Sequence, residues 1–325
     1  MKLTIVLIAA SLALPLPVIA QPYPVKAVRF IMPHVAGGPH DTVARGMAQA
    51  FSQTFGQPFV VESRPGGDGI VGLSACASAA PDGYSLCLGY GSPFTLNPLL
   101  YAKLPYDTMR DFAPIMHLGF LYSAVIAHPT VPSASLRELI EHSKSRPKTI
   151  TWGTFGPGSI TNLYVEWMNR TLNAGFYSVA YKSAIPAATA VMGGEIQIAV
   201  LTVGVAAQQV KAGKIKALAV IGGDKRSGFM PNLPTMRESG VDLTLTNWWG
   251  LFGRAGTPPD VLQRLHAETK KLIDDAKFVE TFFARQGFEF GDPVGGSPEQ
   301  FAAFLRADGE TNARTLKITG VRLDQ

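Results

Sequence analysis

This sequence lacks most of what marks a catalyst or a nucleic-acid binder. No Gly-x-Ser-x-Gly elbow is present, and no glycine loop ends in the Lys-Ser/Thr pair of a phosphate-binding P-loop. Ser145-Arg-Pro-Lys148 has Ser-x-x-Lys spacing only by placing Pro147 in a helical turn, where its ring has no N–H to give. The six histidines include no His-x-x-x-His pair, so no metal site and no cofactor is expected. The 29 basic and 24 acidic residues leave a formal charge of +5 with no run of five or six bases, which speaks against nucleic acid. A mild positive balance still favours encounter with small anions. Cys76 and Cys87 are the only thiols, and they read equally as a disulfide or as two small buried apolar side chains.

What is present describes a folded protein rich in turns: 46% apolar residues, with 33 Gly and 24 Pro spread along 325 residues. Residues 1–20 carry Lys2, the apolar stretch Leu3–Ala13 and small residues at Val18 and Ala20, an export signal cleaved after Ala20. Pro15 and Pro17 end the apolar stretch well short of the roughly 20 residues that span a bilayer. Gln21 follows the cut with no Cys beside it, so a soluble protein in an oxidising compartment is expected.

The mature chain of about 305 residues exceeds one ordinary core, which predicts two domains. Strands are expected at 27–32, 58–62 and 84–89, with helices at 42–55 and 70–79 between them, an α/β layer with a mainly parallel sheet. Two apolar runs fill 113–127, and a helix follows at 135–144, capped by Ser133 or Ser135. A second α/β unit then starts over, with strands at 149–153, 177–180, 197–201 and 217–221 and helices at 160–171, 184–193 and 205–211. The remaining stretch offers one strand and helices at 259–274 and 298–318, too little for a third domain. It is expected to pack back on the first unit, giving domain 1 as 21–124 plus 247–325 and domain 2 as 125–246.

Glycine-rich loops precede three of these helices: Ala36-Gly37-Gly38-Pro39-His40-Asp41, Pro65-Gly-Gly-Asp68-Gly, and Gly153-Thr-Phe155-Gly156-Pro-Gly158-Ser159. N–H groups at a helix N-terminus lack internal partners and sit at the positive end of the dipole, so such loops suit a carboxylate or phosphate; any one of them would also serve as a plain turn. Two that stand at the carboxyl ends of the first strands of separate sheets point to a ligand crevice. Trp248 and Trp249, at the second crossing between domains, either pack or line that crevice.

Over essentially the whole mature chain, an ordered series of motifs resembles one family. It includes Tyr23-Pro-x-Lys26, Pro33 to Arg45, Glu62-x-Arg-Pro-Gly-Gly, Ala80-Pro-Asp-Gly-Tyr84, Leu104-Pro-Tyr-Asp107, Gly156-x-Gly-Ser159, Met192-Gly-Gly194, Lys211-Ala-Gly-Lys214 and Ala255-Gly-Thr-Pro258. The chain is similar to the periplasmic solute-binding proteins of tripartite tricarboxylate transporters, also called the Bordetella uptake gene proteins. The resemblance implies a type II periplasmic binding protein-like fold: two α/β domains joined by two crossing strands, with a ligand cleft between them. It implies a monomer without catalytic residues that captures a small organic carboxylate by hinge closure and delivers it to membrane transporter subunits or, alternatively, to a sensor domain. A periplasmic enzyme acting on a carboxylate is the third reading, and it lacks an acid–base pair or activated nucleophile.

Carried over by position, the resemblance puts His34 and Ala36–Asp41 on one side of the ligand and Phe155, Gly156, Gly158, Ser159 and Thr161 on the other. Gly91, Ser92, Tyr181, Ser183, Ala184, Leu201 and Trp248 complete the lining. The departures matter. His34 stands where the family usually has an aromatic residue, Val35 and Ala36 where it has prolines, Pro39 where it has glycine, and Phe155 where it has a small residue. Leu201 stands where a ligand ammonium would meet an Asp, which predicts a ligand with an acid group on an uncharged, partly apolar or aromatic body.

Overall fold

The structure is a computed structural model in which residues 23–321 are described. The export signal and its cleavage after Ala20 lie outside those residues.

Two sheets organise the described chain. In the first, β1 (Val28–Met32), β2 (Phe59–Ser63) and β3 (Ser85–Tyr90) run parallel, connected by α1 (Pro39–Phe55) and α2 (Ile70–Ala77). An irregular helical segment, Ser92–Leu96, continues into α3 (Asn97–Leu100), and α4 (Thr108–Asp111) leads into β4 (Phe112–Leu121). The chain then leaves for the second sheet through β5 (Ser123–Ala127). There α5 (Leu136–Ser145), capped by Ser135, is followed by β6 (Thr151–Thr154), α6 (Ile160–Leu172), β7 (Tyr177–Ala180), α7 (Ala184–Met192), β8 (Ile198–Thr202), α8 (Val203–Lys211) and β9 (Lys216–Ile221). It returns at β10 (Trp248–Arg254), which inserts antiparallel between β3 and β4. The chain ends with α9 (Pro259–Asp274), α10 (Ala276–Phe278), β11 (Phe288–Glu289) and α11 (Pro298–Thr319). Strand orders are β11-β4-β10-β3-β1-β2 and β7-β6-β8-β5-β9.

Both sheets are covered on both faces, as parallel sheets require. In β1, Val28, Phe30 and Met32 enter one core and Ile31 the other; in β8, Ile198 and Val200 face away from Ala199 and Leu201. Cys76 of α2 and Cys87 of β3, both fully buried, are joined as a disulfide, which resolves the alternative the sequence left open. Among the described residues no helix is long and apolar enough to cross a membrane.

Strand register shows which edges face the crossings. β10 starts opposite the last residues of β3 and β4, with Trp249 paired to Tyr90 and Trp248 to Phe120. β5 starts opposite the ends of β8 and β9, with Ser123 paired to Thr202 and to Ile221. The two crossings are bonded to each other, Leu121 N–H donating to Asn247 O at 2.7 Å. Each sheet therefore turns the carboxyl ends of its parallel strands toward the other, and the N-termini of α1, α2, α6, α7 and α8 gather there.

Two local departures from expectation have simple causes. Helix α1 begins at Pro39 rather than residue 42, because the proline ring presets the φ of a first helical turn. Two-residue β11 was not expected; it pairs with β4 and is too short to show a period.

Candidate functional site

The first loop is fixed by one carboxylate. Asp41 Oδ2 accepts from the Gly37 N–H at 3.0 Å and from Arg45 Nε at 2.9 Å, which ties the loop to the helix it opens. Burial works to raise this carboxyl, but those hydrogen bonds and the Arg45 charge hold it below the usual range. The N-cap residue of α1 is Gly38, which has no side chain to cap with; its carbonyl accepts from the Asp41 and Thr42 N–H groups at 3.1 and 3.2 Å, and Pro39 has no N–H, so the start of the helix offers the His40 N–H. A Cβ built at Gly37 or Gly38 would meet nothing within 4 Å, and Ala36 is exposed. The loop is open space lined by backbone donors.

Beside it two stacked imidazoles are covered at either end by a tilted aromatic ring. His34 and His40 are parallel at 3.8 Å, Tyr90 covers His34 at 4.3 Å, and Trp249 covers His40 at 4.3 Å. Burial holds both imidazoles neutral, pushing His34 down to about 3 and His40 well below its ordinary value, with the neighbouring His34 adding to the effect on His40. Behind Tyr90, its hydroxyl donates to Asp68 Oδ1 at 3.1 Å; burial raises the Asp68 carboxyl despite hydrogen bonds from Tyr90 and Ser92.

The second loop is closed on itself. Ser159 Oγ donates to Gly156 O at 2.7 Å and accepts from Asn162 N–H, capping α6, and from Phe155 N–H, both at 3.3 Å. Thr161 Oγ1 lies 3.0 Å from Ser159 Oγ and accepts from Phe155 N–H at 3.2 Å. Both hydroxyls are buried and committed, so this loop offers a ligand backbone at Gly156 and Gly158 and the exposed ring of Phe155. A Cβ at Gly156 would likewise meet nothing within 4 Å. Beside it α7 starts at Ser183, whose side chain makes no cap bond, leaving another helix N-terminus with free donors; Ser183, Ala184 and Tyr181 are partly exposed.

Four expected lining residues are corrected. Trp248 is fully buried among Phe94, Phe252, Phe301 and Phe304, and its Nε1 donates to Asp308 Oδ2 at 2.9 Å. The pleat sends adjacent residues to opposite faces, so it is Trp249 that reaches the histidines. Leu201 is 3% exposed within the apolar core on which Tyr181 and Ala184 pack, and presents no surface. Gly91 and Ser92 do not form an exposed turn; they are buried where β3 runs straight into helix, Gly91 under the Thr246 carbonyl and the Trp248 indole, Ser92 bonded to Asp68. Tyr90 belongs to the site although no local motif marks it, because only the sheet places it under His34.

A cleft between two α/β units, floored by the carboxyl ends of their strands, defines the periplasmic binding protein class. Within it the chain belongs to the tripartite tricarboxylate transporter family receptors, whose pattern matches residues 43–320. It is 28% identical to BugT of Bordetella pertussis over 316 residues, covering 97% of this chain and 95% of BugT. Among solved structures, an R. palustris protein with adipate superimposes with a TM-score of 0.83 at 25% identity, covering 92% of this chain and 99% of its own. MatC from Rhodopseudomonas palustris, with bound malate, gives 0.78 at 27% identity, covering 91% and 100%.

Proposed function

We propose that this protein is a periplasmic receptor that closes on a small organic carboxylate and delivers it to a membrane transporter, with no chemical step. The observation that carries this is a pair of glycine loops on separate sheets, the first open and the second presenting backbone at Gly156 and Gly158, with no side-chain cap on the N-termini of α1 and α7, an arrangement that offers N–H donors and positive dipole ends to an anion. The relatives bound to adipate and malate support the class of ligand. Two moving bodies close about the crossings at Tyr122 and Asn247 in a monomer, with the boundary expected after 124 shifted to 122 because Ser123 and Ala124 pair with β8 and β9.

The ligand carries its acid on an uncharged, partly apolar or aromatic body. Asp41 Oδ2 is held by Gly37 and Arg45 while its Oδ1 is sealed from solvent, and Asp68 is held by Tyr90 and Ser92, so neither carboxylate stands open to an ammonium. An ammonium brought into such a cleft loses its hydration without compensation. The test is a thermal-shift screen over mono-, di- and tricarboxylates and aromatic acids, where a ligand at a hundred times its Kd stabilises the fold by about 2.7 kcal/mol. Titration of succinate against aspartate follows. No stabilisation by any carboxylate, or turnover of one, ends the receptor reading; tighter binding of aspartate ends the uncharged-body reading.

A further inference from the structure

We propose that His34 and His40 bind the ligand carboxylate through their side chains, each neutral ring donating an N–H from Nδ1, so that this cleft adds two side-chain donors to the backbone of the first loop. The proposal rests on the carboxylate-receptor reading and adds the atoms that do the binding.

The geometry is the argument. The two rings are parallel to within 1° and 3.8 Å apart, and in each of them Nε2 is sealed from water without a hydrogen-bond partner while Nδ1 is not sealed. A buried orphan N–H is rarer than a buried lone pair without a partner, so the proton of each neutral ring belongs on Nδ1. The column is closed at its ends by Tyr90 and Trp249 and flanked by Phe288 at 6.1 Å, so a ligand meets ring edges and not faces. His34 and His40 flank Gly37 and Gly38 in the chain, and no side chain fills the space that a Cβ at either glycine would take. A phenyl ring at position 34 would stack equally well and donate nothing.

The rings remain neutral through binding. The ionisable groups around them are Tyr90 on β3 with Asp68 behind it and, on α1, Asp41 paired to Arg45. Trp249 on β10 and Phe288 on β11 bring no charge, and burial drives both imidazoles far below neutrality. The affinity for a carboxylate is therefore flat between about pH 8 and 5.5, whereas binding through an imidazolium would strengthen it by up to about tenfold per pH unit.

Two measurements test this. Proton–nitrogen correlation spectra of the imidazoles in the ligand-free protein should show Nδ1–H tautomers for both rings across that pH range; Nε2–H tautomers or titration within it overturn the proposal. Calorimetry with adipate and benzoate then compares variants, because an asparagine amide falls near the place of Nδ1 and a glutamine amide near that of Nε2. His34→Asn and His40→Asn should bind within about threefold of wild type, and His34→Gln, His40→Gln and His34→Phe about tenfold or more weaker, the size of one lost hydrogen bond to a charged group. Phe at position 34 preserves the stack, which separates binding from folding. Wild-type binding with unchanged affinity in His34→Phe and His40→Gln overturns the histidine assignment alone. Failure of wild type to bind either acid counts against the receptor reading, and the spectra then decide the tautomers by themselves.

Discussion

The two glycine loops occupy equivalent places in their sheets and are held in opposite ways. The first is tied by a single charged group, Asp41, and its helix is uncapped; the second is tied by two neutral hydroxyls, Ser159 and Thr161, and its helix is capped. The first spends its Gly37 N–H on Asp41, leaves the Gly38 and His40 N–H groups for a ligand, and depends on ionisation for its shape. The second satisfies its own donors and is indifferent to pH. A pincer built this way has one receptive jaw and one preformed jaw.

Removing Asp41 should have the largest effect. Asp41→Ala leaves the Gly37 N–H without its acceptor and Arg45 without its partner, a loss of about 1.5–3 kcal/mol in chemical denaturation, since hydrogen bonds to charged groups are worth that much. Its pH dependence carries a sign. The folded-state carboxyl lies below its ordinary value, so its contribution is complete above about pH 4 and disappears as the pH falls through the depressed value. The difference between wild type and Asp41→Ala should shrink on acidification, and a constant difference would mean that Asp41 acts through packing alone.

Backbone strain comes next. Gly37 and Gly156 have φ of 85° and 100°, and alanine at either should cost about 1–2 kcal/mol although no atom stands in the way of a methyl group. Equal losses in the two variants would show that both turns are equally rigid. A smaller loss at Gly37 would show that the charged tie lets its loop relax.

Ser159→Ala should cost about 1 kcal/mol of stability, the value of a helix cap, and leave affinity within about threefold of wild type because its proton is already given to Gly156 O. A tenfold loss of affinity at unchanged melting temperature would make the second jaw as receptive as the first. The smallest stability effect is expected at Gly38, which has a φ of −92° and empty surroundings: Gly38→Ala gains about 0.4–1 kcal/mol from the unfolded chain and loses a similar amount because alanine is a poor N-cap, so stability should change little. Its methyl group enters the open space of the loop, so affinity should fall at nearly constant stability.

Much of this was legible in the chain. The strand at 177–180 and the start of α6 at Ile160 agree with expectation, the latter because a serine before a helical period is a local signal. The two sheets and the return of the last segment followed from counting strands. The site was read less well. Trp248 looked as eligible as Trp249 because both stand at the crossing, and only the pleat decides which of two neighbours faces the histidines. Leu201 was placed by its position in a motif, and its burial depends on α7 covering β8. Ser92 followed a strand end that looked like a turn, and Asp68, distant in sequence, claims its hydroxyl.

What the sequence determined by itself is whatever depends on near neighbours: the glycine loops, the caps, the alternation of strands and helices, and the family to which the chain belongs. What only the tertiary structure decided is how groups far apart in the chain share one space. His34, His40, Tyr90 and Trp249 come from a loop, a helix and two strands, and no spacing rule connects them. Their stacking, their neutrality and the sealing of each Nε2 arise because the returning crossing lays the start of β10 antiparallel beside the end of β3, which pairs on its other side with β1, and there burial outweighs the hydration an isolated imidazole would keep.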